Sequence, residues 1–298
     1  MKKDVTILVA VLNKSEIIKG CIESLLKLKS PPARIIIVDG YSTDGTYEIL
    51  KEYEGKIDLF QYPKNLSKTF NWALDQVNTE YVALTDGDCV VDPDWLEELL
   101  KGFNGEDIVA TAGHCGTPKN LPLLPTIIGL EMESRFKKFP ETLRRAPTMN
   151  LCLKTEIAKK VKFDEKQMVA VEVDFGWRLS KIGKIVYLPK AKVFHYHRAT
   201  LKSYFNQQKN QAKGGLRLFL KYGVRALNDH ITSLKMSIQI PLFFLSLVFL
   251  FFSLFNKIFL LPFALLILSL LGIYFKTITE VNPPKKLYLP FLGLLFFR

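Results

Sequence analysis

Two carboxylates separated by one glycine, Asp86-Gly87-Asp88, follow the apolar run Tyr81-Val82-Ala83-Leu84-Thr85. The run reads as a buried β-strand, so the acids fall where strand gives way to loop. Two hard oxygen donors at i and i+2 can hold a divalent cation, which can in turn hold phosphates. Gly87 lets the backbone bend and lets a ligand approach closely. An isolated Asp-Gly-Asp is more often a solvated turn, since Asp and Gly are turn residues, so its weight comes from its surroundings. A second apolar run, Arg34-Ile35-Ile36-Ile37-Val38, also ends in an acid, Asp39. Ligands gather at the carboxyl ends of strands in open α/β sheets, so Asp39, Asp86 and Asp88 can face one crevice. Further on come an acid pair, Glu172 and Asp174, and a histidine pair, His195 and His197. In a strand, residues two apart share a face.

The elements that must position these residues alternate. Val5–Leu12 is a first buried strand. Lys14–Lys29 has apolar residues at helical spacing, with Asn13 or Ser15 available as cap, and Pro31-Pro32 stops it. Arg34–Asp39 is a second strand, Gly40–Gly45 a loop and Thr46–Tyr53 a helix. Ile57–Gln61 is a third strand, Leu66–Val77 a helix, and Tyr81–Thr85 the fourth strand. Alternation of this kind implies right-handed βαβ crossovers and a mostly parallel sheet with helices on both faces. Asp92 and Pro93 fit the cap and first position of a helix running to Phe103. Ile108–Ala112 and Asn150–Lys154 read as strands, Ile127–Lys138 and Glu172–Ile182 as helices, and Ile185–Leu188 and Ala191–Phe194 as two short strands.

Charge is unevenly spread. Residues 1–130 carry 13 basic and 19 acidic side chains, residues 131–235 carry 23 and 9, and residues 236–298 carry 5 and 1. The overall excess of +12 therefore originates in the middle of the chain. A basic stretch ahead of an apolar tail suits anionic lipid headgroups. Nucleic acid is not expected as a partner, because no recognition motif accompanies the charge. The four cysteines are scattered without a CxxC pair, which argues against a zinc site or disulfide framework and fits a reducing compartment. In the tail, Ile238–Phe255 and Ile258–Phe275 are uncharged runs of 18 residues each, long enough to cross a bilayer. Leu287–Phe297 is a third apolar run, too short to cross alone. It would lie in the interface or begin a longer span.

The loop Val38-Asp39-Gly40-Tyr41-Ser42-Thr43-Asp44-Gly45-Thr46 resembles the VDDGSTDGT loop of family 2 glycosyltransferases, which have the GT-A fold. The first strand with Asn13 and Glu16 resembles that family's opening strand and Asn-Glu turn. Asp86-Gly87-Asp88 falls where the family has its DxD metal motif. Glu172-Val173-Asp174-Phe175-Gly176-Trp177-Arg178-Leu179 resembles its ED-x-(D/E)-x-x-x-R-L helix. Val193 to Leu201, with Gln207-Gln208 beyond, resembles the segment that closes the site in many members. The resemblance covers residues 5–215 and implies the following roles. Asp39 accepts a hydrogen bond from the donor's base, and the first turn, Ala10, Leu12, Asn13 and Glu16, lines the nucleotide crevice. Lys68 and Arg198 belong with Asp86 and Gly87 to the donor contacts. Asp86 lies toward the ribose, and Asp88 ligates Mn2+ or Mg2+ against the diphosphate, with His195 or His197 completing the coordination. Glu172, or else Asp174, is the base that deprotonates the acceptor. Two departures stand out: Gly40 and Tyr41 replace the family's second aspartate and following glycine, and Glu172 replaces its usual aspartate. The tryptophan of the QxxRW motif is also missing after Gln207-Gln208, which argues against a processive polymer synthase.

The expected protein is thus α/β with a GT-A, Rossmann-like sheet over residues 1–215, a basic interfacial connector over 216–237, and transmembrane helices over 238–298. It would be a multi-pass protein of the cell membrane with its catalytic domain in the cytoplasm, since Lys/Arg excess flanks the two-span hairpin on both sides. The resemblance implies an inverting, metal-dependent transfer from a UDP- or GDP-sugar to a lipid or lipid-phosphate-linked acceptor. Two alternatives remain at this stage: a non-catalytic nucleotide-sugar-binding membrane protein, and a nucleotidyltransferase, which would be expected to carry a Gly-rich basic loop after the first strand.

Overall fold

The computed structural model describes residues 4–62, 65–167 and 169–296. The chain divides between Ala199 and Thr200 into two compact units. The helix that begins at Leu201, which the sequence places mainly in the catalytic segment, therefore falls in the second unit.

In the first unit, β1 (Val5–Val11), α1 (Ile18–Leu26), β2 (Arg34–Asp39), α2 (Thr46–Lys51), β3 (Asp58–Gln61), α3 (Leu66–Asp75) and β4 (Tyr81–Asp86) alternate as the apolar runs require. After them come β5 (Cys89–Val91), α4 (Trp95–Lys101), β6 (Ile108–Gly116), α5 (Leu123–Phe136), β7 (Thr142–Leu143), β8 (Leu151–Lys154), α6 (Thr155–Val161), α7 (Val171–Leu179) and β9 (Lys184–His195). One sheet runs in the order β3-β2-β1-β4-β8-β6-β9-β5, with β7 beside β9. β1 to β4 pair in parallel, so Val11 lies beside Asp39 and Ala10 beside Asp86. That register brings the carboxyl ends of the two acid-ended strands together, one on either side of β1.

The other half is mixed rather than mostly parallel. β8 runs antiparallel between β4 and β6, β6 and β9 are parallel, and β5 and β7 are antiparallel to β9. The reversal enters where the helix-strand alternation stops, after β4. β9 is also one strand, not two. A register shift between Gly113 and His114 absorbs residues 189–191 as an irregularity. Asn150, almost wholly buried, holds that irregularity together. Its Nδ2 donates to the carbonyls of His114 and Ala191 (3.0 and 2.9 Å), and its Oδ1 accepts from Trp95 Nε1 (2.8 Å). The sequence reading has no counterpart for the short β5 and β7 or for α6.

β1, β2 and β4 are buried on both faces, which accounts for their continuous apolar runs. Phe163, just after α6, is stacked between Phe70 of α3 and Phe175 of α7, with ring centroids 4.8 and 4.1 Å apart. Such pairs add to the burial of the rings themselves and dock α7, with its acids, against the sheet's helical layer. The helix after β1 starts later than its spacing predicts, and neither Asn13 nor Ser15 caps it. The loop after β2 holds those residues instead. Asp92 likewise forms a turn one step early: its Oδ1 accepts from the Asp94 N–H, and α4 begins at Trp95.

In the second unit, α8 (Leu201–Tyr222) carries Thr200 as its cap, the hydroxyl accepting from Ser203 N. α9 (Leu234–Phe252) and α10 (Leu260–Val281) form an antiparallel hairpin whose open end is tied by Lys235 and Glu280 at 2.7 Å. The candidate spans, Leu234–Phe252 and Lys257–Val281, have mean hydropathy 1.9 and 2.6 and are long and apolar enough to cross a membrane. The third run gives α11 (Tyr288–Phe296), and Phe297 lies outside the described residues.

Candidate active site

The turn after β1 and the loop after β2 clasp each other. Asn13 N donates to Ser42 Oγ (2.8 Å), Thr43 N to Asn13 Oδ1 (2.9 Å), Lys14 N to Thr46 Oγ1 (2.7 Å) and Ser15 N to Asp44 Oδ2 (3.0 Å). Asp44 also accepts from the Thr46 amide and hydroxyl. Burial opposes its ionisation, but these hydrogen bonds prevail and hold its pKa at about 2. Asn13 and Tyr41 both adopt positive φ (52° and 58°) in making the clasp. For Tyr41 that conformation is strained, and it stands where the family resemblance has glycine.

Asp39 ends β2 fully buried. Its Oδ2 accepts from Ser42 N (3.0 Å) and Gln61 Nε2 (3.1 Å), while Oδ1 is buried without a partner. A buried acceptor left unmade is costly, so this oxygen is a place for a ligand N–H. Asp86 ends β4, half-buried. Burial first, and the neighbouring Asp88 second, push its pKa up. Glu172 also raises it, which puts the α7 acid within electrostatic reach of the pair. Gly87 is required by packing, since a Cβ there would lie 2.8 Å from Val11 Cγ2.

Asp88 is the most heavily engaged acid. Oδ2 meets Lys14 Nζ at 2.5 Å and Oδ1 meets His195 Nε2 at 3.2 Å. Burial opposes its ionisation, but the charges of His195 and Lys14 outweigh that and hold its carboxyl far below the usual range. Cys89 pairs with His195 across β5 and β9, and Tyr196 N donates to Asp88 O (2.9 Å), which brings the end of β9 over the acidic turn. His195 and His197 meet through their Nδ1 atoms at 3.1 Å. His197 is buried, with Nε2 unpartnered. Burial, then His195, lowers its pKa to about 3, so it is neutral near neutral pH. His195 therefore touches Asp88 directly, and His197 backs it.

On α7 the two acids divide. Asp174 is fully buried and accepts from Arg178 Nε (2.7 Å), whose other nitrogens donate to the carbonyls of Val161 and Lys162 (2.5 and 2.7 Å). Asp174 thus ties α7 to α6. Glu172 is half-buried and makes no hydrogen bond or ion pair among the described residues. Glu16, Lys68, Arg198 and Leu12 are exposed. Ala10 lies beside Asp86 in the sheet.

The donors present fit a divalent cation. Asp88, Cys89 and His195 bring one ligand atom each within 4.8 Å of one another. A carboxylate with an imidazole suits Mn2+, and the neighbouring orphaned nitrogen of His197 is the kind of buried polar atom that a bound group satisfies. Lys14, Gln61 and Cys89 are absent from the sequence reading of this site. A lysine directly after the turn residue Asn13 and a thiol directly after Asp88 were the available signals.

Comparison with known proteins places the arrangement. The model of "Glycosyl transferase family 2" matches residues 6–155, and that of "Glycosyl transferase family group 2" matches residues 81–279. The chain belongs to the family 2 glycosyltransferases. A curated relative of this glycosyltransferase is poly-beta-1,6-N-acetyl-D-glucosamine synthase of Staphylococcus epidermidis, 24% identical over 251 residues. The match covers 80% of this chain and 60% of the relative, so the chain spans little more than half of that protein's length. Among solved structures, the mannosyltransferase PcManGT from Pyrobaculum calidifontis, in complex with GDP-Man and Mn2+, superposes with a TM-score of 0.66 at 14% identity, covering 99% of this chain and 87% of that one. A fragment of S. aureus TarS in complex with UDP-GlcNAc gives a TM-score of 0.53 at 18% identity, covering 99% and 88%. These likenesses establish the GT-A fold of the glycosyltransferase.

Proposed function

We propose that the protein is an inverting, metal-dependent glycosyltransferase that moves a sugar from a UDP- or GDP-sugar to a lipid or lipid-phosphate-linked acceptor at a membrane. The observation that carries this reading is the cluster at the carboxyl ends of the strands: Asp88 and His195 are in contact, and Asp86, one residue before Gly87, has its pKa raised by burial and by both Asp88 and Glu172. Asp39 Oδ1 takes an N–H of the base. Asp88 and His195, with His197 behind, hold Mn2+ or Mg2+, which when bound neutralises charge on the leaving diphosphate. Glu172 is the base and Asp174 the strut that fixes its helix. Glu172 takes the proton of the acceptor hydroxyl as that oxygen attacks the anomeric carbon from the face opposite the diphosphate. The bond from that carbon to the diphosphate oxygen breaks, and the nucleoside diphosphate leaves with the electron pair. The unpaired state of the Glu172 carboxylate supports this division of roles.

The membrane part of the proposal is supported by α9 and α10. At about 1.5 Å per residue they run roughly 28 and 33 Å, close to the hydrocarbon thickness of about 30 Å. The test uses the full chain in detergent with UDP-GlcNAc and GDP-mannose as donors and a polyprenyl-phosphate-linked sugar, whose free hydroxyls can attack, as acceptor, with Mn2+, Mg2+ or EDTA. Transfer that needs the cation and is lost in Glu172→Gln is expected. Transfer unaffected by EDTA overturns the metal role, and donor binding without any turnover leaves a nucleotide-sugar-binding protein.

A further inference from the structure

One ion pair at the site stands in direct competition with an arriving cation. Lys14 Nζ sits 2.5 Å from Asp88 Oδ2, and the two side chains are only 19% and 9% exposed. His195 Nε2 takes the other oxygen at 3.2 Å. Each oxygen of the carboxylate therefore already has a partner. A divalent cation on Asp88 can keep the imidazole, because a ring nitrogen offers a lone pair. It repels the ammonium, which has only donors, cannot ligate and carries like charge. Lys14 is also not free to withdraw as a whole. Its N–H is held by Thr46 Oγ1 at 2.7 Å, and the flanking Asn13 and Ser15 are bonded to the loop after β2. Only the flexible four-carbon stem can move. The released ammonium then stands beside the cation with a buried positive charge to satisfy. The other acid it faces, Asp86, is drawn by the same cation. A diphosphate adds negative charge and fresh acceptor oxygens at that place.

We propose that Lys14 is a donor-binding residue held in reserve on Asp88, which passes to the diphosphate when a divalent cation replaces it. The proposal rests on Asp88 being the cation-holding carboxylate. Its consequence is coupling. Lys14 opposes the cation while the diphosphate is absent and favours the pair when both are present, and by linkage each ligand strengthens the other equally. A cation alone is discouraged, and so is a diphosphate alone, because Lys14 is then still engaged.

The test is Mn2+ binding by electron paramagnetic resonance on the full chain in detergent, without nucleotide and with UDP or GDP, together with nucleotide affinity with and without Mn2+. In Lys14→Gln, Mn2+ alone should bind about tenfold tighter or more, and the better nucleotide in Mn2+ about tenfold weaker or more, as expected for one charge-assisted contact. Lys14→Arg, which keeps the charge, should stay within about threefold of the parent in both, a rescue that a folding defect would not give. Mn2+ affinity unchanged or weakened in Lys14→Gln overturns the proposal. So does nucleotide affinity that is unchanged, or lost equally with and without Mn2+, the latter meaning that the lysine stands in for the metal. Asp88→Asn separates the two readings. If it abolishes Mn2+ binding while Lys14→Gln is silent, the lysine proposal alone falls. If the parent binds no Mn2+, both fall together.

Discussion

At the scale of single residues, the site is a set of acids made unequal by their neighbours. Asp88 is held ionised by Lys14 and His195, Asp86 is pushed toward its neutral form, Asp174 pairs with Arg178, and Glu172 has no ion pair among the described residues. Glu172→Gln keeps shape and removes basicity, so transfer should fall by roughly 100-fold or more while donor affinity is preserved, as steady-state kinetics would show. Equal activity would move the base elsewhere. Tyr41 offers a test of backbone strain. Its φ of 58° costs an L-residue about 1 kcal/mol or more, so Tyr41→Gly should hold or raise the melting temperature although it deletes a large side chain. A clear drop would mean that the ring, half exposed, is needed by the fold. The resemblance assigned Asp86 and Asp88 but left Glu172 and Asp174 as alternatives, and residue type alone did not say what surrounds each acid. Asp86, Asp88, Glu172 and Asp174 are alike as letters, and only the cations and carbonyls packed around each one separate them.

At the scale of elements, α7 carries the proposed base and β9 the histidine beside Asp88, and each element has a polar anchor. Arg178 binds Asp174 and two carbonyls at the end of α6. Arg178→Ala would take the cation away from the fully buried Asp174 carboxylate, and breaking a buried pair by removing one partner typically costs about 3–5 kcal/mol. Thermal unfolding should show a large loss, and any folded remainder should lose transfer through a displaced Glu172. Asn150 serves β9 in the same way. Asn150→Ala strands the Trp95 N–H and two carbonyls, and at about 1–3 kcal/mol for an unmet group the melting temperature should fall by several degrees or more. The helix-strand alternation of the first half was readable because each run was long and of one period. The second half was not. β5 and β7 have three and two residues, too few to carry a pattern, and the irregularity at residues 189–191 looks in sequence like a break between two strands.

At the scale of the whole molecule, a GT-A unit precedes a unit with two span-length apolar helices. Two crossings return the chain to the side it left, so Thr232 and Lys285 should lie on one face of the bilayer. The four native cysteines are buried, which leaves a clean background for labelling. Single Thr232→Cys and Lys285→Cys chains in sealed vesicles should react with a membrane-impermeant maleimide from the same side. Labelling from opposite sides would exclude the two-span hairpin. The same preparation, extracted with alkaline carbonate, should leave the protein in the membrane pellet.

The amino-acid sequence by itself determined the strand-helix alternation, the carboxylates at the ends of β2 and β4, the family motifs and their order, and the apolar tail. These are local properties, fixed by periodicity and by residue type within short windows. Tertiary structure alone decided that β8 reverses the sheet, that Asp174 pairs with Arg178 while Glu172 has no ion pair among the described residues, and that His195 rather than His197 is within ion-pair distance of Asp88. It alone brought Lys14 across 74 positions of sequence to Asp88. Such assignments depend on which charge is buried against which, and burial is set by the packing of distant elements rather than by any stretch of the chain.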